Sequence, residues 1–276
     1  MVNGARTGLR RVNQEQNTQY KKVLSFMIFL IVTLIMITGT FLNPLFMKGQ
    51  IRTSNNEAVV VRQVNRHFDT LAEAIGANQS GNSNLLTSKQ TQPIADHIID
   101  YTFGLHWFKF DNLRLAKQIL HDIDLNIDQG SSSNAQLVQE KLKKQKDNAP
   151  HEVVAAFSLN TIRVGANIAL ILLIMNIVII VVTIISLKSL IEEMMTMMTT
   201  KMLIHDVTAA GMWAGFWLIL IAGLLALIPV VFNVSGLAVL GYVLEIGSSI
   251  FLDFVIAGVI VYILSTIPWE ITSPNN

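Results

Sequence analysis

With 51% hydrophobic and only 14% charged side chains in 276 residues, the chain lies far from the soluble average of about 25% charged and reads as a membrane protein. The net charge of +1 hides a basic N-terminal end that acts as a topology signal, not as a nucleic-acid patch, so no nucleic-acid partner is expected. The absence of cysteine excludes disulfides, thiolate metal sites, cysteine nucleophiles and cysteine lipidation.

Residues 1–22 carry Arg6, Arg10, Arg11, Lys21 and Lys22 against Glu15 and are expected to form a basic cytoplasmic tail. Residues 23–46 are apolar, longer than the about 7–15 residues of a signal-peptide core, and run into Asn43, Pro44 and Leu45 instead of ending at a small-residue cleavage site. They therefore predict an uncleaved anchor, the first transmembrane helix. The 47–161 segment should then lie outside the cytoplasm.

That segment reads as a helical domain. Ser54 and Glu57 have capping-box spacing, and Val61, Val64, Phe68, Leu71 and Ile75 repeat at helical intervals up to Gly76. Residues 77–92, rich in Asn, Ser, Gly and Gln, predict a mobile loop. Pro93 is expected to open a short helix carrying Ile94, Ile98 and Tyr101 and ending at Gly104. Asp111 or Asn112 can cap a third helix with Ala116, Ile119, Leu120, Ile123 and Ile127 on one face, and residues 134–146 predict a fourth. After a break at 147–150, Val153, Val154 and Phe157 lead on without another breaker.

Residues 164–187 contain no charged side chain. About 20 apolar residues cross a hydrocarbon core of about 30 Å, so this is the second span and the strongest in the chain. Residues 188–206 keep a helical pattern with Leu190, Ile191, Met194, Met195, Met198 and Met202 on one side. They predict a cytoplasmic amphipathic segment, read either as a partner-binding face or as a helix at the lipid interface. Residues 207–232 form the third span, 233–249 a short outer loop without Lys or Arg, 250–267 the fourth span and 268–276 a cytoplasmic tail. The fold class is therefore all-α: a polytopic membrane protein with four transmembrane helices, both termini cytoplasmic, and an extracytoplasmic helical domain between the first and second spans.

Among the polar residues at membrane depth, Asp253 is a candidate for function, whereas Asn176 and Thr183 share a face of the second span and suit hydrogen bonds to neighbouring helices. Gly211 and Gly215 have the GxxxG spacing of close helix packing. In the outer segment Asp96, His97 and Asp100 could share one helical turn, but no tight ligand spacing accompanies them, so neither a metal nor a cofactor is expected. His106, Trp107, Phe108 and Phe110 make an aromatic knot, a candidate outer-domain contact that suits a bundle core, a membrane surface or a ligand.

No phosphate loop, nucleophile elbow or paired carboxylates argue for catalysis. The expected function is a non-enzymatic plasma-membrane protein, bacterial in layout, that senses an outer ligand or partner and couples it to a cytoplasmic protein; homo-oligomers fit the same layout. The order of a cytoplasmic N-terminus, one span, a large outer domain and three further spans resembles the FtsX and MacB type of ABC-transporter permease in topology. That resemblance implies a transport subunit working with an ATPase. The connection SLIEEMMTMMTTKMLIHD departs from it, lacking the glycine and basic residues expected beside an ATPase.

Overall fold

The computed structural model describes residues 2–77, 85–128, 130–231 and 238–273, in which the regular elements are all helical. They are α1 (Val2–Gly39), α2 (Pro44–Ile51), α3 (Ser54–Ala74), α4 (Ser88–Phe103), α5 (Leu113–Asn126), α6 (Ser133–Gln145), α7 (Ala149–Ala156), α8 (Leu159–Met197), α9 (Thr200–Val231) and α10 (Ala238–Ile271), with a 3-10 turn at Lys146–Asn148. The chain divides into two compact units. One, the span unit, comprises Met1–Thr38, Met175–Gly236 and Gly247–Asn276; the other, the helical domain, comprises Gly39–Ile174 and Leu237–Ile246.

Four stretches are long and apolar enough to cross a membrane: Thr18–Gly39, Leu159–Met197, Thr200–Ile228 and Ile246–Ile271. Their apolar surface is largely uncovered; Ile168, Val178, Val182 and Ile185 are each about half exposed or more. A contiguous apolar exterior on a helix is what a lipid solvent permits and water does not, so the protein is a multi-pass membrane protein.

In the helical domain, Val64, Phe68 and Leu71 of α3, Ile94 and Ile99 of α4, Leu115, Ile119 and Ile123 of α5, and Val153 and Ala156 of α7 meet in one buried cluster. Polar side chains help to build it. Asn65 is fully buried and holds the Leu86 backbone with both ends of its amide, accepting from the Leu86 N–H at 2.7 Å and donating to the Leu86 carbonyl at 2.8 Å. Gln90 accepts from the Thr87 N–H at 2.8 Å and donates to Asn126 O and Ser131 Oγ, so the opening of α4 is joined to the end of α5.

Several boundaries differ from those the sequence predicts. The first membrane helix stops at Gly39 instead of continuing to residue 46, because Asn43 caps a new helix: its side chain accepts from Leu45 N at 3.0 Å and Phe46 N at 3.3 Å, with Pro44 in the first turn. The N-cap of α3 is Thr53, one residue before the expected Ser54. Pro93 lies inside α4, which opens five positions earlier at Ser88 through the Thr87–Gln90 capping box. Of the expected loop, residues 78–84 lie outside the described residues, while Leu85 and Leu86 are buried. Similarly, 232–237 lie outside them, but from Ala238 the expected short loop is already α10.

The continuous helix expected from Val153 onward is broken at Ser158, whose φ of 51° places a non-glycine residue in the left-handed region. The reason is packing. Phe157 and Leu159 are both buried in the domain core, and residues two apart point away from each other on one helix. Turning the chain at Ser158 lets both enter the core, which offsets a local cost of about 1–2 kcal/mol.

In the span unit, α9 and α10 approach backbone to backbone. A Cβ on Gly215 would meet Gly258 O at 2.7 Å and Tyr262 N at 2.9 Å, and one on Gly211 would collide with the Ser265 side chain. Gly223, by contrast, has only a Val255 methyl at 4.0 Å. Gly215→Ala is therefore expected to lower thermal stability in detergent, since overpacking at about 1–3 kcal/mol outweighs a helix-propensity gain of about 1 kcal/mol. Gly223→Ala should be neutral or stabilising. Equal melting of the two variants would contradict the close approach.

Candidate functional site

The candidate residues fall into separate places. At one end of the span unit, α8 ends at Met197 and α9 begins at Thr200 after a two-residue turn at Met198 and Thr199, so residues 188–206 form the ends of two long helices and not one surface segment. Leu24 of α1, Met194 of α8, and Leu203 and Ala210 of α9 make a buried cluster there, with Met198, Leu187 and Leu190 packed on it. Met194 is 0% exposed, whereas Met195 and Met202 are 56% and 53% exposed. The methionine face read as one surface is thus divided: Met194 and Met198 hold the protein's own helices together, and Met195 and Met202 point outward.

Polar contacts tie the same end together. Tyr20 Oη donates to Glu193 Oε1 at 2.8 Å, and Lys21 Nζ lies 2.8 Å from Asp206 Oδ1. The Asp206 side chain is only 5% exposed. His205 stacks on Trp269 at 5.3 Å between ring centroids. The start of the first span, the end of the second, the start of the third and the end of the fourth therefore share one end of this unit.

Deeper in the spans, Asn176 Nδ2 donates to Thr38 Oγ1 at 3.3 Å, while the buried Thr183 hydroxyl donates to Ile179 O of its own helix at 2.7 Å. Asp253 is half-buried on α10 beside the fully packed Phe254. Gly211 and Gly215 lie against α10 as described.

In the helical domain, the aromatic knot does not join the core. Trp107 and Phe110 are 79% and 82% exposed, Leu105 is fully exposed and Phe108 is 39% exposed. His106 bonds within the loop, Nδ1 to Trp107 O at 2.6 Å. The loop itself is clamped to α8. Asn167 accepts from Lys109 N at 2.8 Å and donates to Lys109 O at 3.0 Å, and Arg163 donates to Phe110 O at 2.7 Å.

A second feature of this domain is an open cleft of about 780 Å³ lined by Lys48, Arg52, Glu57, Lys89, Asp96, His97 and Asp100. Two ion pairs lie in it, Lys48 with Asp100 and Arg52 with Asp96, and Glu57 accepts from the Ser88 hydroxyl. His97 Nδ1 contacts Asp122 Oδ2 at 2.6 Å. Asp96, His97 and Asp100 therefore face three different partners and do not converge on one point.

His67 supplies a titration. Its ring stacks on Phe157 at 5.5 Å between centroids and its Nδ1 lies 3.0 Å from Ala156 O, where the neutral ring donates. Burial pushes the imidazole below its ordinary value, against the Ala156 bond that favours the charged ring. The folded-state pKa thus lies below the unfolded one. The stability this neutral ring contributes is complete above about pH 6.5 and is lost as pH falls from there through the folded value. Burial raises the nearby Asp69 carboxyl, a contribution of opposite sign. The expected result is that domain stability falls less in His67→Gln than in the unaltered protein between about pH 7 and pH 5. Parallel curves would remove His67 as the cause.

No protein-family model, curated protein or solved structure matches the chain.

Proposed function

We propose that this is a non-enzymatic multi-pass protein of a bacterial plasma membrane, with both termini in the cytoplasm. Its helical domain lies outside, binds a ligand or a partner there, and passes that state to a cytoplasmic protein. The observation that carries this reading is α8: its first turns place Leu159 and Ala166 in the core of the helical domain, and its last turns place Met194 in the buried cluster of the span unit. A helix with residues in both units is the route along which we propose that the state passes. The orientation rests on the five basic residues before the first span and on the absence of Lys and Arg from 233–249.

Met195, exposed at the end of α8, is the place to test it. A photoreactive residue there is expected to give a reproducible protein adduct in the native membrane. Adducts to lipid alone would remove the coupling reading, and an ATPase as the crosslinked partner would redirect it to transport. Protease added to spheroplasts should cut within 47–161 and spare tags at both termini. Loss of either tag contradicts the orientation.

A further inference from the structure

The loop between α4 and α5 exposes Leu105, Trp107 and Phe110 almost completely, yet its backbone is tied to α8 by side-chain hydrogen bonds. Its backbone is fixed at Lys109 by both ends of the Asn167 amide and at Phe110 by Arg163. Tyr101 Oη donates to Asp111 O at 2.8 Å, and Asn112 Nδ2 donates to Asn160 Oδ1 at 2.9 Å. Lys109 Nζ lies 3.8 Å above the Tyr101 ring. Large apolar side chains held out by a rigid backbone are not a packing failure, because a loop free to collapse would bury them.

The partners of the clamp say what covers these side chains. Asn112, Phe110 and Lys109 are held by α8 residues 160, 163 and 167 in turn. Gly104, Leu105 and His106 then line a small gap with Leu42 and with Ala169, Leu170 and Leu173 of α8. The loop thus runs beside α8 from its polar first turn toward residue 173, a climb of about 1.5 Å per residue. Over that same stretch the open surface of α8 becomes apolar, with Val164, Ile168, Ile171 and Leu172 all exposed at the start of the second apolar span. Trp107 and Phe110 lie beside the stretch of α8 where the exposed surface turns apolar, with Arg163 at its polar edge, the arrangement in which indole rings and cations favour the headgroup boundary.

We propose that this loop is a membrane-interface anchor, with Leu105, Trp107 and Phe110 inserted at the boundary between headgroups and acyl chains of the leaflet that meets the start of α8. The occupant is the bilayer itself, and the surface is continuous with the lipid-facing side of the span.

The absence of native cysteine allows a direct test on the full chain in nanodiscs of phosphatidylcholine and phosphatidylglycerol. Nitroxide labels are placed singly at Leu105→Cys, Trp107→Cys and Phe110→Cys, with the exposed Leu125→Cys of α5 as a solvent control. The ratio of collision with oxygen to collision with a water-soluble nickel chelate is expected to exceed one at the three loop sites and to fall below one at Leu125. A loop ratio equal to the control overturns the proposal by placing the loop in water. Low collision with both reagents overturns it too, because a second copy or another protein then covers the loop. Trp107 provides a reading without a label: in Trp213→Phe/Trp217→Phe/Trp269→Phe protein, lipids brominated near the headgroup are expected to remove most of its emission, and unquenched emission contradicts insertion.

Discussion

Phe68→Asp is expected to abolish cooperative unfolding of the helical domain while the four spans remain in the membrane. Phe68 is 0% exposed and lies in the cluster shared by α3, α4, α5 and α7. Removing its ring alone costs about 3–5 kcal/mol, and an unpaired carboxylate in its place adds a desolvation cost of several kcal/mol. Domains of ordinary stability hold about 5–15 kcal/mol in all, so the sum reaches the level of complete unfolding. Hydrogen exchange on the intact protein in nanodiscs measures it: amides of α3, α4 and α5 should lose protection, while those within 175–197 keep theirs. Thr70→Asp, on the exposed face of the same helix, should leave protection unchanged. Retained protection in Phe68→Asp would mean that the core described here is not the one that holds the domain.

The apolar stripe that leads to this prediction is legible in the sequence at Val64, Phe68, Leu71 and Ile75, since helical spacing marks a buried face whatever covers it. The same periodicity takes Val61 for Val60, which is the more buried of the two. It cannot find Asn65. That residue is polar, and what makes its burial tolerable is the Leu86 backbone, a partner distant in sequence that no local pattern announces. The turn at Ser158 was hidden for a related reason. No glycine or proline marks it, and the need to bury both Phe157 and Leu159 exists only once the rest of the core is in place.

In the candidate site, composition alone singled out His106, Trp107, Phe108 and Phe110. Their exposure depends on the clamp by Asn167 and Arg163, which belong to a different helix. The sequence signal is Asn167, an amide near the start of an apolar run that also holds Asn176 and Thr183. The methionines show the opposite limit. Periodicity groups Met194 and Met198 on an apolar face, but a face is defined without its cover, and the cover of those two is supplied by α1 and α9 of the same chain.

That distinction gives opposite expectations for neighbouring residues. Met194→Glu should destabilise the span unit severely, because the side chain is fully buried against Leu24, Leu203 and Ala210. Truncating a buried methionine costs about 2–5 kcal/mol, and a carboxylate adds the cost of an unpaired charge. Met195→Glu combined with Met202→Glu alters side chains that are more than half exposed and should leave thermal stability close to the unaltered protein, since substitutions on such surfaces usually change it by no more than about 0.5 kcal/mol. The two variants therefore separate structure from recognition, with melting followed by fluorescence-detected size exclusion and binding by photocrosslinking from Met197, which is itself exposed. Met194→Glu should lose the folded peak. The Met195/Met202 pair should keep the peak and lose the protein adduct. If Met194→Glu instead melts like the unaltered protein, Met194 is not part of the internal cluster, and the face that joins α8 to its neighbours is available to a partner after all.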